Sequence, residues 1–208
     1  HGVMFSEATV FPQSIAMAST WNETLVGQMA DVIAKEAGAM GVTQVLCPDL
    51  DLCREPRWGR IEETFGEDAC LTARLGTAYV RHLQKCEEGA CRGVGATLKH
   101  FAVHGTPEGG INLAPVQAGE RLMQEYYLVP FRKVIRDAKP ISVMPAYSEI
   151  DGVPCSSSRH LLTDILRGQL GFDGYTISDF GAVEMLLSFH HTAEDRTQAG
   201  KQALRAGM

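Results

Sequence analysis

No run of apolar residues in this 208-residue chain approaches the ~18 to 20 that a membrane-spanning helix requires, so a membrane partner is not expected. Positive charge is also in short supply. Nineteen Lys and Arg against 25 Asp and Glu leave a net charge of −6, which favours neither nucleic acid nor an anionic lipid surface. The six cysteines (Cys47, Cys53, Cys70, Cys86, Cys91, Cys155) form no C-x-x-C pair and no Cys/His spacing suited to zinc, so no metal is expected from them. Cys86 and Cys91 are close enough to bridge a loop under oxidising conditions; otherwise the six read as free, mostly buried thiols. No glycine-rich phosphate loop follows an apolar strand, because Gly93-Val-Gly95 opens one instead, and nucleotide cofactors lose their main support. Internal repeats, low-complexity tracts and linkers are missing too.

What remains is ordinary globular composition, 45% hydrophobic and 21% charged. The length suits one substantial core, or most of an α/β barrel of about 250 residues. The first residue is His1, Gly2 to Thr20 reads as a loop entering mid-fold, and the chain stops at Met208 straight after a helical pattern. A single domain over 1–208, truncated at both ends, is the expectation.

Helical and strand patterns alternate. Asn22 is positioned to cap a helix over 22–40 that Gly41 ends, and Val42 to Cys47 is short, β-branched and apolar, as a buried strand should be. A helix over Glu67 to Gln84 precedes a strand over Val94 to Leu98. Gln117 to Asp137 is a long helix broken near Pro130, followed by a strand over Ile141 to Met144. A helix opened by Ser158 runs to Gln169, a strand covers Tyr175 to Ser178, and helices follow at 182–188 and 193–206. Parallel strands alternating with helices make an α/β protein, either an open doubly wound sheet or a (β/α)8 TIM-type barrel. Polar residues gather just past the C-terminal ends of four successive strands, where barrels place their sites, so a partial barrel is expected.

The first of these clusters, Pro48 to Asp68, is dense in Asp, Glu and Arg and carries one tryptophan, Trp58. It reads either as a salt-bridged surface loop or as a site for a ligand rich in hydroxyls. Trp58 offers an apolar face, or packs the loop down. Lys99-His100-Phe101 follows the second strand, and Tyr147 lies past the third, as a site residue or as packing on the barrel rim. Asp179 ends the fourth, where a carboxylate is costly unless used or paired; capping the next helix is its ordinary alternative. Carboxylates with Arg, Lys, His and Tyr, and no Ser-His-Asp set, suit sugar chemistry. A retaining glycosidase needs one carboxylate as nucleophile and a second as acid/base about 5 to 5.5 Å away.

These residues resemble glycoside hydrolase family 3 over nearly the whole chain. The motifs are Thr9-Val-Phe-Pro-Gln13, Glu55-Pro-Arg-Trp-Gly-Arg60 with Gly66-Glu-Asp68, Lys99-His100-Phe101, and Val143-Met-Pro-Ala-Tyr147 through Pro154. They continue with Leu161-Leu-Thr-Asp164, Gly171-Phe-Asp-Gly174 and Ser178-Asp179-Phe180. The resemblance implies an N-terminal catalytic barrel with Asp179 as nucleophile. It implies that Arg60, Lys99 and His100 bind the hydroxyls of the terminal sugar, with Met144 and Tyr147 lining that subsite. Phe180 stands where the family commonly has tryptophan. Two parts of the pattern fall outside the chain: an acidic sugar-binding residue before His1, and the acid/base glutamate, supplied by a C-terminal domain beyond Met208. An N-acetylglucosaminidase branch carries an Asp-x-His set after Lys-His-Phe; the loop from His104 to Asn112 has none.

Glu108 to Pro115 with Glu120-Arg121 resembles bacterial β-glucosidases and β-xylosidases, which implies a β-glycoside or oligosaccharide substrate, no cofactor, and a periplasmic or secreted setting. A non-catalytic sugar-binding scaffold of the same shape is the alternative. An aldolase-like barrel using Lys99 would need an apolar pocket to depress that lysine, and its surroundings are polar.

Overall fold

The computed structural model describes residues 2–85 and 93–208. Within the stretch expected to be loop, Ser14–Ala18 forms a short helix, α1, pinned by the buried Met17 and Ala18. The Asn22 side chain accepts from the Leu25 N–H at 3.0 Å and caps α2 (Glu23–Ala39), which Gly41 ends at φ +79°. Regular pairing in the first strand, β1, is confined to Gln44–Val45. Pro48 has no N–H to give a ladder. The chain nevertheless continues along its neighbour as far as Leu50, through Thr97 N–H to Cys47 O (3.1 Å), Lys99 N–H to Pro48 O (3.2 Å) and Leu50 N–H to Lys99 O (2.7 Å).

Asp68 accepts from Leu71 N–H and caps α3 (Ala69–Leu83). Strand β2 runs over Gly95–Phe101, three residues past the expected end, so Lys99 and His100 lie in the strand and not after it. Their polarity hid the strand because its inner face is polar. The helix expected from Gln117 starts at Glu120 as α4 (Glu120–Leu122), passes through a π-helical turn at Met123–Tyr127 and resumes as α5 (Val129–Ala138). The break precedes Pro130, which sits in the first turn of α5, where no intrahelical N–H bond is lost.

After α5 come β3 (Ser142–Pro145) and a hairpin of β4 (Glu149–Ile150) and β5 (Val153–Pro154). Asp151 and Gly152, both at positive φ, make its two-residue turn. The segment His160–Gln169 is π-helical, with Ser158 Oγ accepting from Leu161 N–H at 3.2 Å. Strand β6 (Tyr175–Thr176) leads to α6 (Ala182–Ser188), and Asp195 caps α7 (Arg196–Ala206) three residues later than expected.

The four strands pair in the order β1-β2-β3-β6, all parallel. Only β3 is buried throughout, and β2 is buried except at Gly95 and Lys99; β1 and β6 are partly exposed because each is an edge, contrary to the expectation of four buried strands. Side chains alternate along each strand. Ala96, Leu98 and Val143 join one apolar cluster with Ile33 of α2, Leu75 of α3 and Phe131 of α5. The alternate residues turn to a polar face: Thr97 Oγ1 and Ser142 Oγ lie 2.7 Å apart, and Gln44 Nε2 donates to both. Helices on one face and polar side chains on the other make a section of barrel wall, since a doubly wound sheet buries both faces against helices. The sheet does not close among the described residues.

Phe131, 1% exposed, meets Phe101 edge-on at 5.0 Å in the middle of this core. Phe131→Ala is expected to cost about 3–5 kcal/mol, read by urea denaturation of the full-length protein; a cost below about 1 kcal/mol would show that the core is not continuous there.

Cys47, Cys53, Cys70 and Cys155 are free, but only Cys155 is buried and Cys70 is exposed, so "mostly buried" does not hold for these four. Cys86 and Cys91 lie outside the described residues. No helix among the described residues is long and apolar enough to cross a membrane.

Candidate active site

The loop after β1 serves two purposes. Its outer part carries a solvent-facing Arg57–Glu55 pair, the surface reading. Its inner part is folded against the strand ends by Trp58, which is 2% exposed and donates from Nε1 to Asn112 Oδ1 at 3.0 Å. Trp58 therefore packs the loop down and offers no face to a ligand. Its ring meets His104 edge-on at 5.3 Å, and Arg60 Cζ lies 5.8 Å from its centre. The packing is close: a Cβ on Gly105 would stand 2.7 Å from the Leu52 carbonyl oxygen.

Arg60 is the hub. Nε and Nη2 grip the two oxygens of Glu63 at 2.6 and 2.8 Å, while Nη1 lies 3.2 Å from His104 Nε2 and Nη2 lies 3.3 Å from His100 Nε2. A guanidinium only donates, so both Nε2 atoms are acceptors and both rings carry their proton on Nδ1. The other contacts agree. His104 Nδ1 lies 3.1 Å from Ser148 Oγ, and His100 Nδ1 lies 2.7 Å from Asp51 Oδ2. The hydrogen bond to Arg60 holds Glu63 down at about 2, so it stays ionised and also meets Lys99 Nζ at 3.4 Å. Burial lowers His100 to about 4 and His104 well below the ordinary imidazole value, so both stay neutral near pH 7.

Asp179 stands past β6 with its side chain 16% exposed. Its Oδ1 accepts from Phe180 N–H at 2.7 Å and from Tyr147 Oη at 2.9 Å. Its Oδ2 lies 3.5 Å from His100 Nε2. It does not cap α6, whose N-cap position is Gly181 without a side-chain bond. The Tyr147 hydroxyl also reaches Phe180 O at 2.8 Å, and burial with the adjacent Asp179 carboxylate pushes it up to about 12. His190 fixes the segment from behind, with Nε2 2.9 Å from Tyr147 O and Nδ1 3.2 Å from Glu149. One oxygen of Asp179 is thus held by two donors while the other, 3.5 Å from His100 Nε2, has none, the arrangement of a carboxylate set to attack or to take a proton.

Behind His100 lie Asp49 and Asp51, both buried. With His100 they bring three possible ligand atoms within 4.8 Å of one another. The proton that His100 Nδ1 gives to Asp51 already occupies the position a metal would take.

The structure thus brings Asp179, Tyr147, His100, Arg60 and, through Glu63, Lys99 into one polar network at the C-terminal ends of the strands. Met144 is buried in β3 on the face of Ser142, without a polar contact to give. The sequence reading did not single out Glu63, Asp49, Asp51, His104, Ser148 or His190. Nothing in their spacing separates them from surface polar residues; only the contacts they make in the fold do.

The two buried histidines have a consequence for stability. In the unfolded chain each takes up a proton as pH falls through about 6.5. In the folded protein His104 resists it, so this part of the stability is present above about 6.5 and is lost as pH falls toward the lowered folded value. Asp49 and Asp51, whose carboxyls burial raises, act with the opposite sign in the same window, so the expected observable is the difference between two proteins. His104→Gln is expected to remove one proton's worth of destabilisation on acidification below about 6.5, about 1.4 kcal/mol per pH unit, from the thermal-unfolding profile of the full-length protein. Identical slopes for the two proteins would contradict a neutral His104.

With this geometry in place, the comparison with known proteins is direct. Residues 1–208 match the Glycosyl hydrolase family 3 N terminal domain throughout. The chain belongs to glycoside hydrolase family 3. A beta-xylosidase of Formosa agariphila is 42% identical over 98% of the chain and 29% of its own length. A periplasmic beta-glucosidase of Salmonella typhimurium is 36% identical over 100% of the chain and 27% of its own length. A solved β-glucosidase from Erythrobacter marinus superposes at a TM-score of 0.96 with 40% identity, over 100% of the chain and 28% of that structure. The fold is therefore the partial TIM-type barrel of a family 3 N-terminal domain. The chain spans little more than a quarter of the length of these relatives.

Proposed function

We propose that the full-length protein is a retaining exo-β-glycosidase that removes terminal non-reducing β-D-glucosyl or β-D-xylosyl residues. The observation that carries this reading is the Asp179 carboxylate, partly exposed, with Oδ1 held by Tyr147 and Phe180 N–H and Oδ2 beside His100 without a donor of its own. Asp179 Oδ2 attacks the anomeric carbon as the bond to the leaving oxygen breaks, and an acid/base from a following domain protonates that oxygen. Water activated by the same acid/base then releases the sugar, with two inversions giving net retention. Arg60, Lys99 and His100 bind the hydroxyls of the terminal sugar, and Met144 and Tyr147 line its pocket. The non-catalytic scaffold is disfavoured because the nucleophile and its polar neighbours are all assembled. Retention is tested by proton NMR of the first-formed product from an aryl β-glucoside and the matching xyloside. The β-anomer appearing first supports the mechanism; the α-anomer appearing first would replace it with an inverting one.

A further inference from the structure

Tyr147 is held at both of its ends by one segment of chain, the one that carries Asp179. Where that segment begins, the Tyr147 hydroxyl meets Asp179 Oδ1 at 2.9 Å and Phe180 O at 2.8 Å. Where it ends, past α6, His190 Nε2 meets the Tyr147 carbonyl oxygen at 2.9 Å. The His190 side chain is only 3% exposed, and its Nδ1 lies 3.2 Å from Glu149 Oε2 on β4. A carbonyl and a carboxylate only accept, so His190 donates from both ring nitrogens. The chain bends sharply to make this reach. Helix α6 stops after 7 residues, the His190 N–H closes on Met185 O at 2.8 Å, and His191 takes a left-handed φ of +54°. That conformation is costly for a residue with a side chain and persists only where its surroundings impose it.

The Tyr147 hydroxyl has one proton and two acceptors in reach. Given to Asp179 Oδ1, the proton leaves that oxygen with two donors and Oδ2 with none; given to Phe180 O, it leaves Oδ1 with the Phe180 N–H alone. The two distances are almost equal, so a small displacement of Tyr147 decides between them. We propose that His190 is a positioning residue for the nucleophile. Its Nε2–H holds the Tyr147 carbonyl, keeps the Tyr147 proton on Asp179 Oδ1, and so presents Oδ2 alone for attack, while Glu149 orients the imidazole. This rests on the glycosidase reading for what Asp179 does, but not for the contact between His190 and Tyr147.

Two amide side chains separate the two contacts of His190. Glutamine places its NH₂ close to the position of Nε2 and asparagine close to that of Nδ1. His190→Gln therefore keeps the donor to Tyr147 O, and His190→Asn keeps only the one to Glu149. The readout in the full-length protein is the rate at which a 2-deoxy-2-fluoro-β-glycoside with a dinitrophenolate leaving group labels Asp179 at saturation, beside the affinity for free glucose or xylose. His190→Gln is expected to label within about tenfold of wild type, and His190→Asn at least about 100-fold more slowly. Affinity is expected to stay within about threefold in both, because Arg60, Lys99 and His100 are held by Glu63 and Asp51 and not by His190. Equal slowing in both variants, or a loss of affinity as large as the loss of rate, would make His190 merely structural and overturn the proposal. The ¹⁵N signals of the His190 ring in the wild-type protein decide the contact even if His190→Asn does not fold. A proton on Nε2 is expected, and a bare Nε2 would overturn the proposal without touching the glycosidase reading. A wild-type protein that takes no label would instead count against the glycosidase reading, and the ring signals would still decide the contact.

Discussion

Asp179→Ala in the full-length protein is expected to lower kcat on an aryl β-glycoside at least about 1,000-fold, roughly 4 kcal/mol in barrier, while leaving the fold intact. The size follows from what is removed. Without the carboxylate no glycosyl ester forms, and the two-step path closes. No other group is placed to substitute, since Tyr147 is held protonated and Glu63 is committed to Arg60 and Lys99. The fold survives because the contacts of Asp179 have alternatives: Tyr147 Oη keeps the Phe180 carbonyl at 2.8 Å, and His190 still anchors the Tyr147 backbone. Circular dichroism and steady-state kinetics on the same preparation check both halves. Activity within about tenfold of wild type, a deficit of only ~1.4 kcal/mol, would remove Asp179 from the nucleophile's role.

Arg60→Lys, conservative in charge, is expected to cost about 100-fold in kcat/KM, roughly 2.7 kcal/mol. The guanidinium fork serves Glu63, His100 and His104 together. An ammonium has three donors from one point and no planar fork, so it can keep Glu63 or reach a histidine, not hold all three in plane. A lysine that stays on Glu63 leaves both Nε2 lone pairs bare, in a pocket where His104 is fully buried. Part of the loss should then appear as a raised KM, because His100 and Lys99 shift together. A value within threefold of wild type would mean that charge alone, without the fork, is what the site uses.

How much of this was legible in the sequence depends on burial. The alternation of helices and strands was readable because Leu98, Val143, Ile33 and Phe131 pack into one core on the covered side. Strand ends were not, because the inner face of a barrel is polar: Lys99 and His100 look like loop residues and sit in the strand. The π-helical turns at Met123–Tyr127 and His160–Gln169 leave no mark on the apolar spacing. Asp179, Arg60, Lys99, His100 and Tyr147 were singled out through linked motifs. Asp49, Asp51 and Glu63 were not, because an acidic residue in a charged loop looks the same whether it faces water, a buried imidazole or a guanidinium, and His104 carries no mark of its burial in the sequence. Only the parallel pairing of 47–50 with β2 puts the two aspartates beneath His100.

The most direct test of the account is to trap the intermediate. The full-length protein is incubated with a 2-deoxy-2-fluoro-β-glucoside, and separately with the xyloside, each bearing a dinitrophenolate leaving group. That group departs without protonation, so trapping depends on the nucleophile alone. Mass spectrometry of the digested protein is expected to find the fluorosugar ester on Asp179, and the faster-labelling sugar identifies the preferred substrate. Label on a different carboxylate, or none with either sugar in a folded protein, would contradict Asp179 as the nucleophile of a retaining glycosidase.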